Sequence, residues 1–346
     1  MSNALRAVVA GCGGMSNAWL KAATQIADLE VVGLVDIREE AALKRKEEYG
    51  LSRAVTGTDL DAVLAQTQPD MVFDVTVPEA HVDVTLTALK RGCHVLGEKP
   101  MADSMDNARR MVAAAQQAGK LYAVIQNRRY TPYIRRVREF LRAGEIGRLT
   151  TVNCDFYIGA HFGGFRDRME HVLLLDMAIH TFDQARFLTG ADPEAVYCHE
   201  WNPAGSWYDH DASAIAIFEM RTRNGDAIVY TYRGSWCAEG LNTSWEGDWR
   251  FIGDKGSARW DGGAGFQAQV VSETGGFFSK HRDAALPDLD TAGKDNGHAS
   301  LINEFVQCVR DGSIPDTICT DNIKSLAMVF GAIESATAGR RVTISP

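Results

Sequence analysis

Between residues 5 and 126, short apolar runs alternate with stretches whose apolar positions recur at helical spacing. The runs at 5–10, 30–36, 71–77, 94–97 and 122–126 predict strands. The segments 17–27, 38–49, 78–91 and 104–118 predict helices, the last two stopped by Gly92 and Gly119. Continuous apolar strands separated by helices predict a parallel sheet covered on both faces, with right-handed crossovers. Further along the pattern changes. A helix is predicted over 132–143, ending in Gly144-Glu145-Ile146-Gly147. Beyond Leu149 the period becomes that of strands, at 151–157, 195–201, 213–219, 227–232 and 249–252, with Arg223-Asn224-Gly225-Asp226 as a turn. One helix, 173–188, interrupts them, and two more follow at 298–310 and 322–338. The glycine-rich 262–276 and the polar 286–297 read as loops. The fold class expected is an α/β domain over 1–126 and an α+β domain with a mostly antiparallel sheet over 127–346, its C-terminal helices able to pack back on the first.

Composition narrows the function classes. Across 346 residues, 36 Lys+Arg face 45 Asp+Glu, a net charge of -9. Nucleic acid and anionic membrane surfaces, which call for basic faces, are poor partners for such a chain. No apolar run approaches the ~20 residues of a membrane span. The seven cysteines form no Cys-x-x-Cys pair, so neither a zinc ribbon nor a disulfide framework is indicated. With no signal-peptide pattern at the start, a reducing cytoplasm is the expected location.

The end of the first strand, Gly11-Cys12-Gly13-Gly14-Met15-Ser16, opens a helix. Gly11 suits a tight turn and Gly13 a close approach of backbone to a pyrophosphate, which the helix N-terminus favours. Ser16 stands where the third glycine of such a loop usually falls. Asp36 ends the second strand at the distance where a carboxylate meets ribose hydroxyls. Its charge favours NAD over NADP, an effect that Arg38 partly offsets. Lys99, in Gly97-Glu98-Lys99-Pro100, falls just past a strand's carboxyl end, the ligand edge of such sheets. Taken alone it reads first as a surface lysine. Asp176, His180 and Asp183 share one face of the 173–188 helix at i, i+4, i+7. His180 can take a proton from an alcohol, and Asp176 can orient it or bind a hydroxyl. Satisfied core groups fit the same spacing equally well, and a metal site fits it less well.

Together these segments resemble the glucose–fructose oxidoreductase / inositol dehydrogenase (Gfo/Idh/MocA) family. The resemblance includes Val75-Thr76-Val77-Pro78 with His81, Arg128-Arg129-Tyr130, Asn303-Glu304-Phe305 and Ser335-Ala336-Thr337-Ala338-Gly339-Arg340. It implies a Rossmann domain, an open sheet in the second domain and hydride transfer between a nicotinamide and a sugar or polyol hydroxyl. Lys99, Asp176 and His180 then form the catalytic group. The cofactor is lined by Gly11, Cys12, Gly13, Gly14, Met15, Asp36, Ile37, Arg38, Thr76, Val77, Pro78, His81, Glu98, Lys99 and Asn127. Arg128, His161 and Asp183 join Lys99, Asp176 and His180 at the substrate. A homodimer or homotetramer through the large sheet is implied as well.

One stretch departs from that pattern. Glycines usual before the aspartate are replaced by Arg166-Asp167-Arg168-Met169-Glu170-His171-Val172. His161, Arg166, Arg168 and His171 would add positive potential, which suits an anionic sugar, or equally a surface or subunit contact. Trp201, Trp207, Trp236 and Trp245 are candidates for stacking on a sugar, although such residues more often fill a packed face. The leading expectation is NAD-dependent oxidation of a secondary hydroxyl. His180 accepts the proton, directly or through Lys99, and Lys99 stabilises the oxygen. The alternatives are a glycosidase using transient C3 oxidation with no net NADH, and a non-catalytic sugar- or nucleotide-binding regulator.

Overall fold

A computed structural model describes residues 4–346. Its contacts divide into two units, one formed by the chain up to Asn127 with Asn296–Ile323, the other by Arg128–Asp295 with Lys324–Pro346.

The first unit runs β1 (Leu5–Ala10), α1 (Ser16–Ala23), β2 (Leu29–Val35), α2 (Glu39–Glu48), β3 (Val55–Gly57), α3 (Leu60–Thr67), β4 (Met71–Asp74), α4 (His81–Lys90), β5 (His94–Gly97), α5 (Met105–Ala118) and β6 (Tyr122–Val124). All strand pairs are parallel, in the order β3-β2-β1-β4-β5-β6. That is the doubly wound dinucleotide-binding order, whose reversal between β1 and β4 opens a ligand crevice at the strands' carboxyl ends. Val8, Val9, Val72, Phe73, Val95 and Leu96 are fully buried, because helices cover both faces. Each contributes about 1.5–3 kcal/mol of burial. β3 and α3 escape the sequence pattern: β3 has three half-buried residues, and α3 starts from an Asp59 cap that accepts from Ala62 N at 3.2 Å.

The second unit holds α6 (Ile134–Arg142), β7 (Leu149–Tyr157), α7 (Ile179–Thr189), β8 (Ala191–Trp201), β9 (Ser213–Thr222), β10 (Ala227–Ser235), β11 (Asp248–Gly253), β12 (Gly256–Trp260), β13 (Phe266–Glu273) and β14 (Lys280–Ala284). Two helices follow: α8 (Gly297–Asp311) belongs to the first unit, and the division falls within α9 (Cys319–Ala338). β15 (Val342–Thr343) ends the sheet order β14-β13-β12-β11-β7-β10-β9-β8-β15. Within this sheet, among the described residues, only β7 and β10 pair in parallel. One sheet face is aromatic and buried, with Phe218, Tyr230, Tyr232, Trp249 and Phe251. Helix α7 packs there, Phe182 meeting Phe218 and Tyr232 edge-on at 4.8 and 5.2 Å.

Two expectations need correction. The 262–276 segment is not wholly loop, since β13 lies inside it and pairs Ala268 with Ala258 and Val270 with Gly256. Glycines crowd both of its ends and mask the alternation of buried Ala268 and Val270 with exposed Gln267 and Gln269. The 173–188 helix is also not uniform. Leu173–Ala178 is π-helical, and the α-helical part begins at Ile179. π-helical turns within helices often mark functional sites, and this one carries Asp176.

Candidate active site

The dinucleotide loop of the first unit is built around Gly11. Its φ is +91°, and a Cβ there would lie 2.4 Å from the Val75 carbonyl oxygen, so only glycine fits. Gly13 and Gly14 face open space. Ser16, the substitute for the third glycine, is buried and donates to Gly13 O at 2.6 Å. Arg45 reaches in from α2, with Nε donating to Ser16 Oγ (3.0 Å) and Nη2 to Gly13 O (2.9 Å). Asp36 ties the edge together: Oδ2 accepts from Cys12 N at 2.8 Å and Oδ1 from Arg38 N at 2.9 Å. Burial, then the charge of Asp36, pushes the Cys12 thiol up to about 12, so it stays protonated. Met15, Ile37 and Val77 are exposed at this same edge, Ile37 by 91%.

A dinucleotide fits these residues. The glycines leave room for phosphates, Asp36 retains accepting capacity for ribose hydroxyls, and exposed apolar side chains at a polar edge suit the faces of an adenine.

Beyond β4, Asp74, Thr76 and His81 form a buried network. Thr76 Oγ1 donates to Asp74 Oδ1 at 2.5 Å, and His81 Nδ1 lies 3.0 Å from Asp74 Oδ2. Burial acts to lower the His81 pKa, but the charges of Asp74, Glu98 and Glu79 outweigh it and the net shift is upward. At 1% exposure, His81 braces this turn and offers almost no surface to a ligand, contrary to its expected place along the cofactor. Glu98 closes β5 with Lys99 next to it; Asn127 Nδ2 lies 3.3 Å from His298 Nδ1 on α8.

In the second unit, Asp176 is held by a guanidinium. Arg166 Nε donates to Oδ2 at 2.7 Å and Nη2 to Oδ1 at 3.2 Å. Arg166 also lies over the rings of Phe162 (5.0 Å) and Phe165 (4.7 Å), both largely exposed. His180 is buried on α7. Asp183, expected at the substrate, is 1% exposed, and Arg129 and Ser325 Oγ occupy its oxygens. Arg128 pairs with Glu246, which also accepts from Gln184 Nε2 at 2.8 Å. Burial pushes Glu246 up, and Arg128 and Gln184 only partly oppose it.

Of the four basic side chains expected near the substituted glycines, His161, Arg166, Arg168 and His171, three are paired with carboxylates. His161 pairs with Glu239, Arg166 with Asp176 and His171 with Glu200, each at 2.7 Å. His171 sits at φ +52°, a left-handed position that favours glycine. Of the four tryptophans, Trp236 is buried, Trp207 stacks on His161 at 3.7 Å, and Trp201 and Trp245 are partly exposed.

Comparison with known proteins agrees with this architecture. The model of the oxidoreductase family with an NAD-binding Rossmann fold, GFO_IDH_MocA, matches residues 5–126, and the GFO/IDH/MocA C-terminal domain matches 134–259. The chain therefore belongs to the GFO/IDH/MocA oxidoreductase family. It is similar to a 1,5-anhydro-D-fructose reductase of Ensifer adhaerens, 31% identical over 96% of this chain and 97% of the relative. A D-apiose dehydrogenase of Paraburkholderia graminis is 30% identical over 96% and 88%. Among solved structures, an oxidoreductase from Agrobacterium radiobacter, crystallised with NAD+, L-tartaric acid and magnesium, superposes with a TM-score of 0.82 over 98% of each chain at 22% identity. No described helix is long and apolar enough to cross a membrane.

Arg45, Glu246 and His298 carry no signal of a role in the sequence. Each acts through a partner far along the chain, which local spacing does not reveal.

Proposed function

We propose that this chain oxidises a secondary hydroxyl of a neutral sugar, sugar derivative or cyclic polyol, with NAD as hydride acceptor. The carrying observation is that the glycine loop, Asp36 and Lys99 share the carboxyl-end edge of one parallel sheet, where doubly wound folds bind ligands. Family membership and the sugar-directed names of the relatives support the substrate class.

Bound NAD would supply the acceptor for the hydride. Gly11, Gly13 and Gly14 leave space for its phosphates, and Asp36 accepts from its ribose. The Asp36 carboxylate disfavours a 2′-phosphate, and Arg38, its Nε 3.9 Å from Asp36 Oδ1, compensates only in part. His180 takes the proton of the substrate hydroxyl, and Lys99 donates to the oxygen as charge grows on it. Asp176 keeps its carboxylate oriented by Arg166 and accepts from substrate hydroxyls. The pairing of His161, Arg166 and His171 with carboxylates favours neutral substrates over uronates.

A second copy of the chain covers the outer sheet face. Tyr197 is paired with Ile217 and His199 with Ile215 on adjacent strands, and the apolar members of this row are exposed by more than two-fifths. The test is a panel of sugars, inositols and glycosides with NAD and NADP, read for NADH. Turnover with neutral polyols and NAD supports the reading. Aglycone release without NADH, or exclusive use of uronates, rejects it.

A further inference from the structure

Glu98 is a buried carboxylate, 7% exposed, which the proposed chemistry leaves without a task. Its Oε1 accepts from Trp19 Nε1 at 2.8 Å, and its Oε2 accepts from the backbone N of Lys99 at 3.1 Å. His298 Nε2, from the first turn of α8, lies 3.6 Å from the same Oε1. Burial pushes Glu98 up, but His298, Trp19 and the Lys99 charge together hold it below the ordinary carboxylate range. It is therefore ionised, and a buried ionised carboxylate persists only where donors surround it.

The other His298 nitrogen faces an amide. Nδ1 lies 3.3 Å from Asn127 Nδ2. An amide nitrogen only donates, so Nδ1 accepts, and a neutral ring then carries its proton on Nε2, the side of Glu98. Asn127, His298, Glu98 and the Lys99 amide thus form one chain of polar contacts within the first unit. It ties the start of α8 to the end of β5, 171 residues apart at the Asn127–His298 step.

We propose that His298 is a positioning residue for Lys99: as the Nε2–H tautomer selected by Asn127, it steadies Glu98, which in turn fixes the backbone from which the lysine side chain departs. This rests on the reading of Lys99 as donor to the reacting oxygen. The other charged groups acting on Glu98 are Lys99 itself and His81 with Asp74 behind it.

Two readouts test it. In the full chain labelled with 15N-histidine, long-range 1H–15N spectra above pH 8 are expected to show His298 protonated on Nε2. In Asn127→Asp, where an acceptor replaces the donor, the proton is expected on Nδ1. Wild-type His298 protonated on Nδ1 would overturn the proposal. In kinetics, His298→Ala is expected to lower kcat about 10-fold or more, since ~1 Å of misplacement costs up to about 10²-fold. KM for NAD should change less than about 3-fold, and His298→Gln, which keeps a donor toward Glu98, should recover most of the loss. Equal losses in Ala and Gln, or a loss confined to KM, would also overturn it. Should His298→Ala unfold, the Gln variant and the wild-type spectra still decide. If the wild type turns over no hydroxyl substrate, the function reading fails, and the spectra separately report whether the contact chain exists.

Discussion

Arg129 and Asp183 form a two-pronged pair inside the second unit: Nη2 donates to Oδ1 at 2.6 Å and Nε to Oδ2 at 2.7 Å, with side chains 5% and 1% exposed. Ser325 Oγ adds a third donor to Asp183 at 2.7 Å. The carboxylate that the helix spacing offers to a substrate is thus a structural anchor. Asp183→Ala leaves a buried guanidinium without its counterion and is expected to destabilise by about 3–5 kcal/mol. Replacing both, as Arg129→Met with Asp183→Leu, should cost markedly less. Urea unfolding of the two variants beside the wild type checks this; equal destabilisation by the single and double changes would contradict it.

Gly11→Ala tests the loop. Its positive φ costs about 1–2 kcal/mol for any other residue, and the added Cβ also meets the Val75 backbone. The expected result is a lower unfolding midpoint and at least about tenfold weaker NAD binding, equivalent to ~1.4 kcal/mol, read by tryptophan fluorescence. NAD affinity equal to wild type would contradict the assignment of this loop.

Two histidines of the first unit impose opposite pH slopes on stability. The folded pKa of His81 is raised from 6.5. Its contribution is complete below 6.5 and lost as pH rises through the raised value. His94 is lowered to about 4, by burial and then by Lys120, while its Nδ1 accepts from Leu121 N at 3.0 Å. Between 6.5 and 4 the unfolded chain binds this proton and the folded chain does not, so stability falls with acidification. Urea midpoints measured from pH 4 to 9 should form a dome. His81→Gln should flatten the alkaline limb and His94→Gln the acid limb; unchanged limbs would contradict the assignments.

The outer sheet face gives a prediction about assembly. Ile217→Asp places a charge between its cross-strand partners Tyr197 and Thr231. The variant is expected to be monomeric by light scattering, with a native circular dichroism spectrum. An oligomer that survives this change does not use the face.

Much of this was legible in the sequence, for physical reasons. The strands of the first unit are buried on both sides, so Val8-Val9 and Val72-Phe73 read as apolar runs. The glycine loop and Asp36 are local in sequence and have one backbone solution. β13 was hidden by flanking glycines, and the π-helical turn at Leu173–Ala178 has the same apolar composition as an α-helix. The contacts of Asp183, His81 and His298 were not legible in the sequence. Their partners are Arg129, Asp74 and Asn127, and only folding decides whether a polar side chain meets a counterion or a ligand.

In the proposed chemistry Lys99 and His180 act on one substrate hydroxyl. This is tested most directly by NADH formation at saturating NAD and polyol in the wild type, Lys99→Ala and His180→Ala. The expected result is that kcat falls by about 10²-fold or more in each variant, while NAD affinity stays within about 3-fold of wild type. Either variant retaining near-normal turnover would contradict it.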